Sequence, residues 1–251
     1  MKTAVLSILI SFLALFSACD GLQKTEVGDK KSKSKKDGLV KQFYKNGKIR
    51  SAINYKGGRK NGLAISYYKD GTPKQEIEYV EDKKHGVAKT YYENGKLFQK
   101  TPYENGVKHG VREKYRQNGK LMAEIPYHNG KACKGLKEYL LNGKPKKQYP
   151  VIKIQAIDKL IQNNRYILKV KMSDDSKSVK FYKGSLTDGC LGEGLLALST
   201  PTPGVLELVY NMPPGTFTME ELNFIAETKT KLGNPYIVQK KYNLAIENRG
   251  Y

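Results

Sequence analysis

The sequence predicts an all-β protein: a meander of five stacked 24-residue β-hairpin repeats followed by a small β-sandwich. The first reason is periodicity. Turn pairs fall at Asn46-Gly47, Asp70-Gly71, Asn94-Gly95, Asn118-Gly119 and Asn142-Gly143, each 24 residues after the one before. A fixed period of this size marks stacked supersecondary units. The second reason is a further turn-like site after each of the first four pairs: Tyr55-Lys56-Gly57-Gly58, Tyr79-Val80-Glu81-Asp82, Tyr103-Glu104-Asn105-Gly106 and Tyr127-His128-Asn129-Gly130. The third is a change after Pro150, where the period stops and short apolar or alternating runs replace it.

The chain opens with Met1-Lys2 and an apolar run of 13 residues, Ala4 to Phe16. That run is too short to cross a bilayer core of about 30 Å as a helix. It fits the core of a secretory signal peptide over residues 1–18. The segment Phe16-Ser17-Ala18-Cys19 resembles a bacterial lipoprotein lipobox. The resemblance implies cleavage before Cys19, lipidation of Cys19 and an address in the bacterial cell envelope, the outer membrane ahead of the inner. Asp20 resembles an inner-membrane retention signal of some bacteria, so sorting stays open. The plainer alternatives are a secreted protein cut nearby or a retained anchor. Stable anchoring needs more than one acyl chain, each buried CH₂ contributing about 0.8 kcal/mol. Residues 19–37 complete the leader: from Asp20 to Asp37 there are six Lys and four acidic residues with almost no apolar surface. Such a composition cannot offset the entropy of ordering, which reads as a disordered tether.

Residues 38–150 carry the repeats. The opening glycine of each unit falls at Gly38, Gly62, Gly86, Gly110 and Gly135, the last interval being one residue longer near Ala132-Cys133. One aromatic column is Phe43, Tyr67, Tyr91, Tyr115 and Tyr139, and a second is Tyr55, Tyr79, Tyr103 and Tyr127. Asn-Gly and Asp-Gly favour the positive φ of type I′ turns, and runs such as Ala64-Ile65-Ser66-Tyr67-Tyr68 are β-prone. Each unit is therefore expected to be two antiparallel strands, giving about ten in all. The tyrosines read first as the core of a thin sheet and second as a ligand-facing ladder.

This pattern of Gly, Tyr-Tyr-x-Asn-Gly-Lys, Tyr and a closing turn resembles the MORN-repeat variant family of bacteria. The resemblance implies a single-layer, solenoid-like sheet and a membrane-associated or protein-binding scaffold. One branch of the family is associated with antitoxins, or immunity proteins, against polymorphic toxins. A signal peptide, a lipidation site and a C-terminal domain set this chain apart from that branch.

Charge is concentrated in the repeats, where 25 Lys and Arg face 10 Asp and Glu; residues 151–251 hold 13 and 10. Lys48, Lys96, Lys120 and Lys144 follow the first turns, and Lys60, Lys84, Lys108 and Lys134 precede the glycines. Equivalent positions two strands apart lie about 9.6 Å apart at a strand spacing of about 4.8 Å. Such ladders suit an extended anionic partner: phospholipid headgroups, lipopolysaccharide phosphates, anionic glycans or an acidic protein. Solubility and protection of sheet edges by lysine are the competing reading. Export makes nucleic acid a poor candidate.

Other chemistry is sparse. His85 and His109 share one register but have no further ligands in register, so no metal is expected. Cys133 and Cys190 remain once Cys19 is set aside; an envelope location permits a disulfide between them, while two separate buried thiols are the simpler reading. Cys190 has no nearby His to activate it, and the hydrolase, phosphate-loop, zinc-protease and dinucleotide motifs are missing. Glu220 and Glu221, adjacent in sequence, read as a solvated turn. No catalytic residue and no cofactor are expected.

Residues 151–251 show runs at Val151–Ile157, Arg165–Lys171, Ser178–Tyr182, Leu195–Ser199, Val205–Tyr210, Leu222–Ala226 and Pro235–Ile246, separated by turn-rich segments. About seven short strands in about 100 residues suggest a β-sandwich. Val205–Tyr210 followed by Pro213-Pro214-Gly215 resembles immunoglobulin-like modules, and Met219–Leu222 reads as a single helical turn.

The sequence thus points to a non-catalytic, lipid-anchored envelope protein. Its basic repeat sheet would bind an anionic surface or an acidic protein through Lys48, Lys60, Lys84, Lys96, Lys108 and Lys120 with Tyr67, Tyr91 and Tyr115. The alternative is an antitoxin or immunity protein that occludes a toxin.

Overall fold

The computed structural model describes residues 36–250. The expected signal peptide, the expected lipidation of Cys19 and nearly all of the expected tether lie outside the described residues. Lys36 and Asp37, assigned to the tether from the sequence, are part of the first repeat. The Lys36 carbonyl accepts the Gly58 N–H at 2.9 Å, and the Asp37 carboxylate accepts the Gly57 N–H at 3.1 Å.

The repeat sheet contains β1 (Gly38–Phe43), β2 (Ile49–Lys56), β3 (Arg59–Tyr67), β4 (Pro73–Val80), β5 (Lys83–Tyr91), β6 (Leu97–Glu104), β7 (Val107–Lys108), β8 (Gly110–Tyr115), β9 (Leu121–His128), β10 (Lys131–Ala132) and β11 (Lys137–Glu138). Spatial order follows sequence order from β1 to β6 and on through β8, β9 and β10; β7 adds to β6, and β11 returns to pair with β9. Every pairing is antiparallel, and tight turns reverse the chain between successive long strands.

Two kinds of turn alternate, and the Asn-Gly turns are not the type I′ turns expected of them. The Tyr44 carbonyl accepts the Gly47 N–H at 3.0 Å, and the Tyr44 N–H donates to the Lys48 carbonyl at 2.8 Å. Of the loop residues only Gly47 has positive φ, at 79°. This is a three-residue loop, a type I turn closed by a glycine bulge, and the register shifts between Gln42 and Phe43 to absorb it. The asparagine contributes its side chain rather than its backbone: its Oδ1 accepts the Lys48 N–H at 3.2 Å. Asp70, Asn94, Asn118 and Asn142 repeat that bond. The type I′ turns lie at the opposite edge, where both central residues have positive φ: Gly57-Gly58, Glu81-Asp82, Asn105-Gly106 and Asn129-Gly130.

The fifth unit turns but does not return as a strand. Its loop repeats the others, with the Leu140 N–H donating to the Lys144 carbonyl at 2.9 Å. Pro145 then removes a ladder donor, and only an isolated bridge joins it to Tyr139. The expected tenth long strand is replaced by an irregular connector to residue 151.

The C-terminal part contains β12 (Ile152–Lys159), a four-residue helix α1 (Leu160–Asn163), β13 (Arg165–Met172), β14 (Lys180–Lys183), β15 (Leu196–Leu198), β16 (Val205–Asn211), β17 (Thr216–Lys229) and β18 (Pro235–Asn248). The strands form two sheets, β12-β13-β16 and β15-β14-β17-β18. Leu168, Val170, Met172 and Leu206 of the first meet Phe181, Leu222, Phe224, Ala226, Leu244 and Ile246 of the second in one core. Seven strands at the expected places thus make a two-sheet sandwich. Its order departs from a constant-type immunoglobulin domain in the fourth strand, β15, which pairs with β14 instead of extending the other sheet. The Trp hallmark is missing from the sequence, and the one described disulfide joins the sandwich to the repeats rather than sheet to sheet.

The expected helical turn at Met219–Leu222 and the solvated turn at Glu220-Glu221 are both replaced by β17, a 14-residue strand paired along its whole length with β18. Strand alternation sends Glu220 to Lys183 at 2.9 Å and Tyr210 at 2.8 Å, and Glu221 to Lys241 at 3.1 Å. The Lys183 ammonium holds the Glu220 carboxyl below its usual range; burial opposes it, and the Tyr210 hydroxyl adds a smaller lowering. A lowered folded-state value means this stabilisation is complete above about 4.5 and is lost as pH falls further. We expect Glu220→Gln to lower stability at neutral pH and flatten the acid limb of the stability–pH curve, as measured by urea unfolding from pH 3 to 7.

Candidate functional site: faces and edges of the repeat sheet

Strand alternation divides the repeat side chains between two faces. One face carries Tyr55, Tyr79, Tyr103 and Tyr127, Lys60, Lys84 and Lys108, and a central row including Ile53, Ala64, Ile77, Ala88, Thr101 and Ile125, in register across the strands. Tyr55 pairs with Lys60, Tyr79 with Lys84 and Tyr103 with Lys108. The ammonium of each lysine also lies over the ring of the next unit: Lys60 over Tyr79 at 5.0 Å, Lys84 over Tyr103 at 4.9 Å and Lys108 over Tyr127 at 4.8 Å. Lys36 over Tyr55, at 5.4 Å, starts the series. Each such pair contributes about 0.5–1 kcal/mol at a partly exposed site. Lys60, Lys84 and Lys108 are thus built into the stacking of the units.

Tyr67, Tyr91 and Tyr115 belong to the other face. The Tyr91 hydroxyl donates to Glu76 at 2.9 Å, and the Tyr115 hydroxyl donates to Glu113. Burial, then Glu76, pushes the Tyr91 phenol up to about 12. Beside these rings run the ion pairs Lys89–Glu76 at 3.7 Å and Lys100–Glu113 at 3.6 Å. The same face leaves Leu39, Leu63, Val87 and Val111 exposed at 24-residue intervals. The sequence pattern placed the lysine columns and the tyrosine rows on one contact surface; the fold puts Tyr67, Tyr91 and Tyr115 opposite Lys60, Lys84 and Lys108.

Lys48, Lys96 and Lys120 occupy a third location, the edge formed by the Asn-Gly loops, where all three are exposed. Lys45, Lys69 and Lys144 share that edge and are exposed as well. The Lys48 ammonium also donates to the Asp70 carbonyl at 2.6 Å. The opposite edge mixes signs: Arg59 meets Glu81 at 2.6 Å, and Asp82 and Glu104 sit beside them in the turns. His109 and His128 stack there at 4.8 Å, with His109 3.7 Å from Glu104.

A tyrosine column that sequence reasoning passed over holds the units together. The Tyr44 hydroxyl donates to the Tyr67 carbonyl at 2.6 Å, Tyr68 to Tyr91 at 2.7 Å and Tyr92 to Tyr115 at 2.8 Å. Arg116 does the same for Tyr139 at 2.7 Å. The signal was the tyrosine directly after the column aromatic, in Phe43-Tyr44, Tyr67-Tyr68 and Tyr91-Tyr92. Tyr92→Phe should cost about 0.5–1.5 kcal/mol, the usual worth of one such bond, with no change in overall β content. Urea unfolding followed by circular dichroism measures both.

The last repeat is joined to the sandwich. Cys133 and Cys190 form a disulfide with Cα atoms 3.9 Å apart, which replaces the expectation of two separate thiols. A reading of five repeats could not see it, because the β14–β15 loop brings Cys190 to the end of the meander only in three dimensions. Next to it the Lys134 N–H donates to the Gly189 carbonyl at 2.7 Å. Glu138, 2% exposed, accepts from Thr230 at 2.5 Å, Asn234 at 2.8 Å and Lys146 at 3.3 Å. Lys114 reaches Asn234 at 3.0 Å; burial first, then Arg112, lowers its ammonium below the usual range. Tyr149 stacks on Tyr236 at 5.3 Å, over Ala123, Ile125 and Leu136.

With this geometry in hand, the comparison with known families is direct. Residues 36–56, 60–81, 84–105 and 108–129 match the model of the MORN repeat variant. The sheet from Lys36 to Asn129 is therefore a run of four MORN-variant repeats, a repeat scaffold with two extended faces. Comparison with curated proteins gives no match.

Proposed function

We propose that this is a non-catalytic scaffold of the bacterial cell envelope, anchored through a lipid on Cys19, whose repeat sheet binds an anionic surface along its Asn-Gly edge. The observation that carries it is the alignment of exposed Lys48, Lys96 and Lys120, with Lys45, Lys69 and Lys144, along one edge of the meander. Flexible ammonium groups about 9.6 Å apart per repeat can each meet a different headgroup phosphate or lipopolysaccharide phosphate. Lys60, Lys84 and Lys108, held over tyrosine rings, contribute field more than contact. The disulfide supports an exported address, since such bonds persist in oxidising compartments.

An acidic protein is the partner of second rank, and a toxin neutralised by occlusion is one form of it. The exposed row Leu39, Leu63, Val87 and Val111 favours that reading, because a protein interface needs apolar anchors. Salt separates the two. The chain beginning at Asp20 retains every described element, since residues 35–251 form one compact unit. Used as bait in a membrane extract, it should recover anionic lipid or lipopolysaccharide at low salt and release it at high salt. Retention of one protein at both salts would favour the apolar face instead.

A further inference from the structure

Outside the repeats, the sandwich carries an open cleft of about 520 Å³ lined by Lys153, Ile154, Gln155, Lys169, Lys171, Thr202, Val205, Glu207 and Lys240. Most of it is the outward face of the three-stranded sheet: Ile152, Leu168, Val170 and Met172 point to the core, so Lys153, Lys169 and Lys171 point away from it. Lys153 and Lys171 are directly opposed across β12 and β13. Directly opposed residues have Cβ atoms about 4.5–5.5 Å apart, and like charges there destabilise the pair. The acids nearby do not balance the cleft. Glu207 pairs with Lys169 at 3.0 Å and Asp175 with Lys171 at 2.8 Å. Lys240 donates to the Ile152 carbonyl at 3.2 Å, which is a neutral partner. The Lys153 ammonium makes no hydrogen bond or ion pair among the described residues; it acts on Asp175, the partner of Lys171, only at longer range.

We propose that this cleft is an anion site, separate from the repeat edge, for a ligand bearing a phosphate group. Two opposed ammonium groups with Lys240 beside them suit a group that carries several acceptor oxygens and about two negative charges. Gln155 and Thr202 add neutral donors, and Val205 supplies apolar wall for the body of the ligand. The Lys153 ammonium then finds its direct counter-charge in the ligand, while Lys171, already paired with Asp175, adds to the field of the cleft, which accounts for a like-charge pair that costs stability without a ligand. The phosphate can belong to a soluble ester or to a lipid headgroup, and the chemistry of the cleft is the same for both.

The test uses the chain from Asp20 and sodium pyrophosphate as probe, read by thermal melting and by titration calorimetry. Pyrophosphate should raise the melting temperature beyond what sodium chloride of equal ionic strength does. Lys153→Gln should weaken pyrophosphate binding about tenfold or more, while leaving the unliganded melting temperature equal or higher because repulsion is relieved. Lys171→Gln should weaken binding as much, with its melting temperature nearly unchanged because relieved repulsion offsets the lost, exposed pair with Asp175. Phosphatidylglycerol vesicles that displace pyrophosphate would assign the headgroup as the natural source; pyrophosphate that stays bound would assign a soluble ester. Equal shifts from pyrophosphate and chloride would overturn the site. So would unchanged affinity in both glutamine variants, or affinity lost instead in the Lys48→Ala, Lys96→Ala, Lys120→Ala triple variant. That last result would leave the repeat-edge reading standing and remove only the cleft.

Discussion

Glu138→Ala is expected to be among the most damaging single substitutions, costing about 3–5 kcal/mol, the range for breaking a buried charged network by removing one partner. Glu138 ends the repeat sheet in β11 and is 2% exposed. Its carboxylate joins Lys146 of the connector to Thr230 and Asn234 of the β17–β18 turn. Without it, Thr230 and the buried Asn234 each lose an acceptor, and Lys146, a third exposed, is left to solvent. Glu138→Gln keeps an acceptor and loses the charge, so it should fall between Ala and the natural residue. Urea unfolding followed by fluorescence of the tyrosines gives the values. A loss under about 1 kcal/mol for Glu138→Ala would mean that water reaches the junction and that the two parts are not tightly joined there.

Loss of the Cys133–Cys190 disulfide should be of similar size. The bond closes a loop with a sequence separation of 57, and loops of that order are worth about 4 kcal/mol in the chain-entropy account. Cys133→Ser and Cys190→Ser should each lower the melting temperature by the same amount, the double variant should add nothing, and dithiothreitol should reproduce the shift in the natural protein but not in the variants. If reductant leaves the natural protein's melting unchanged, the bridge is not formed in solution, and the main support for an oxidising location goes with it.

Much of the fold was legible because its signals are local. A 24-residue period, paired turn residues and alternating tyrosines fixed the hairpins, and seven apolar runs marked the strands of the sandwich. What escaped was set by detail or by distance. Asn-Gly serves both a type I′ turn and a three-residue loop with a glycine bulge, and the choice lies in the Asn46 side chain, which caps Lys48. Glu81 and Asp82 form a type I′ turn with φ of 48° and 65° although neither is glycine; Asp82 is held by the Lys60 N–H at 2.8 Å and Glu81 by Arg59. The Glu220 region reads as helix or turn locally, but its long partner β18 is 14 residues of continuous strand, and tertiary pairing overrides local preference. The candidate site was legible as residue types and not as a surface. A period says that Lys60 and Tyr67 recur together, yet alternation sends them to opposite faces. The Cys133–Cys190 pair joins residues 57 apart, and the four-lysine cleft needs Lys240 of β18 beside the β12–β13 hairpin, so neither carries a complete local signal.

The most direct test of the central claim is flotation of the chain from Asp20 with phosphatidylglycerol vesicles at low salt, comparing two triple variants. Lys48→Ala, Lys96→Ala, Lys120→Ala removes the exposed edge; at about 1 kcal/mol per lysine near an anionic surface, binding should fall on the order of a hundredfold. Lys60→Ala, Lys84→Ala, Lys108→Ala removes the lysines that lie over tyrosine rings and should lower thermal stability more than it lowers binding. If the first variant floats as well as the natural protein, the Asn-Gly edge is not the contact surface and the claim fails.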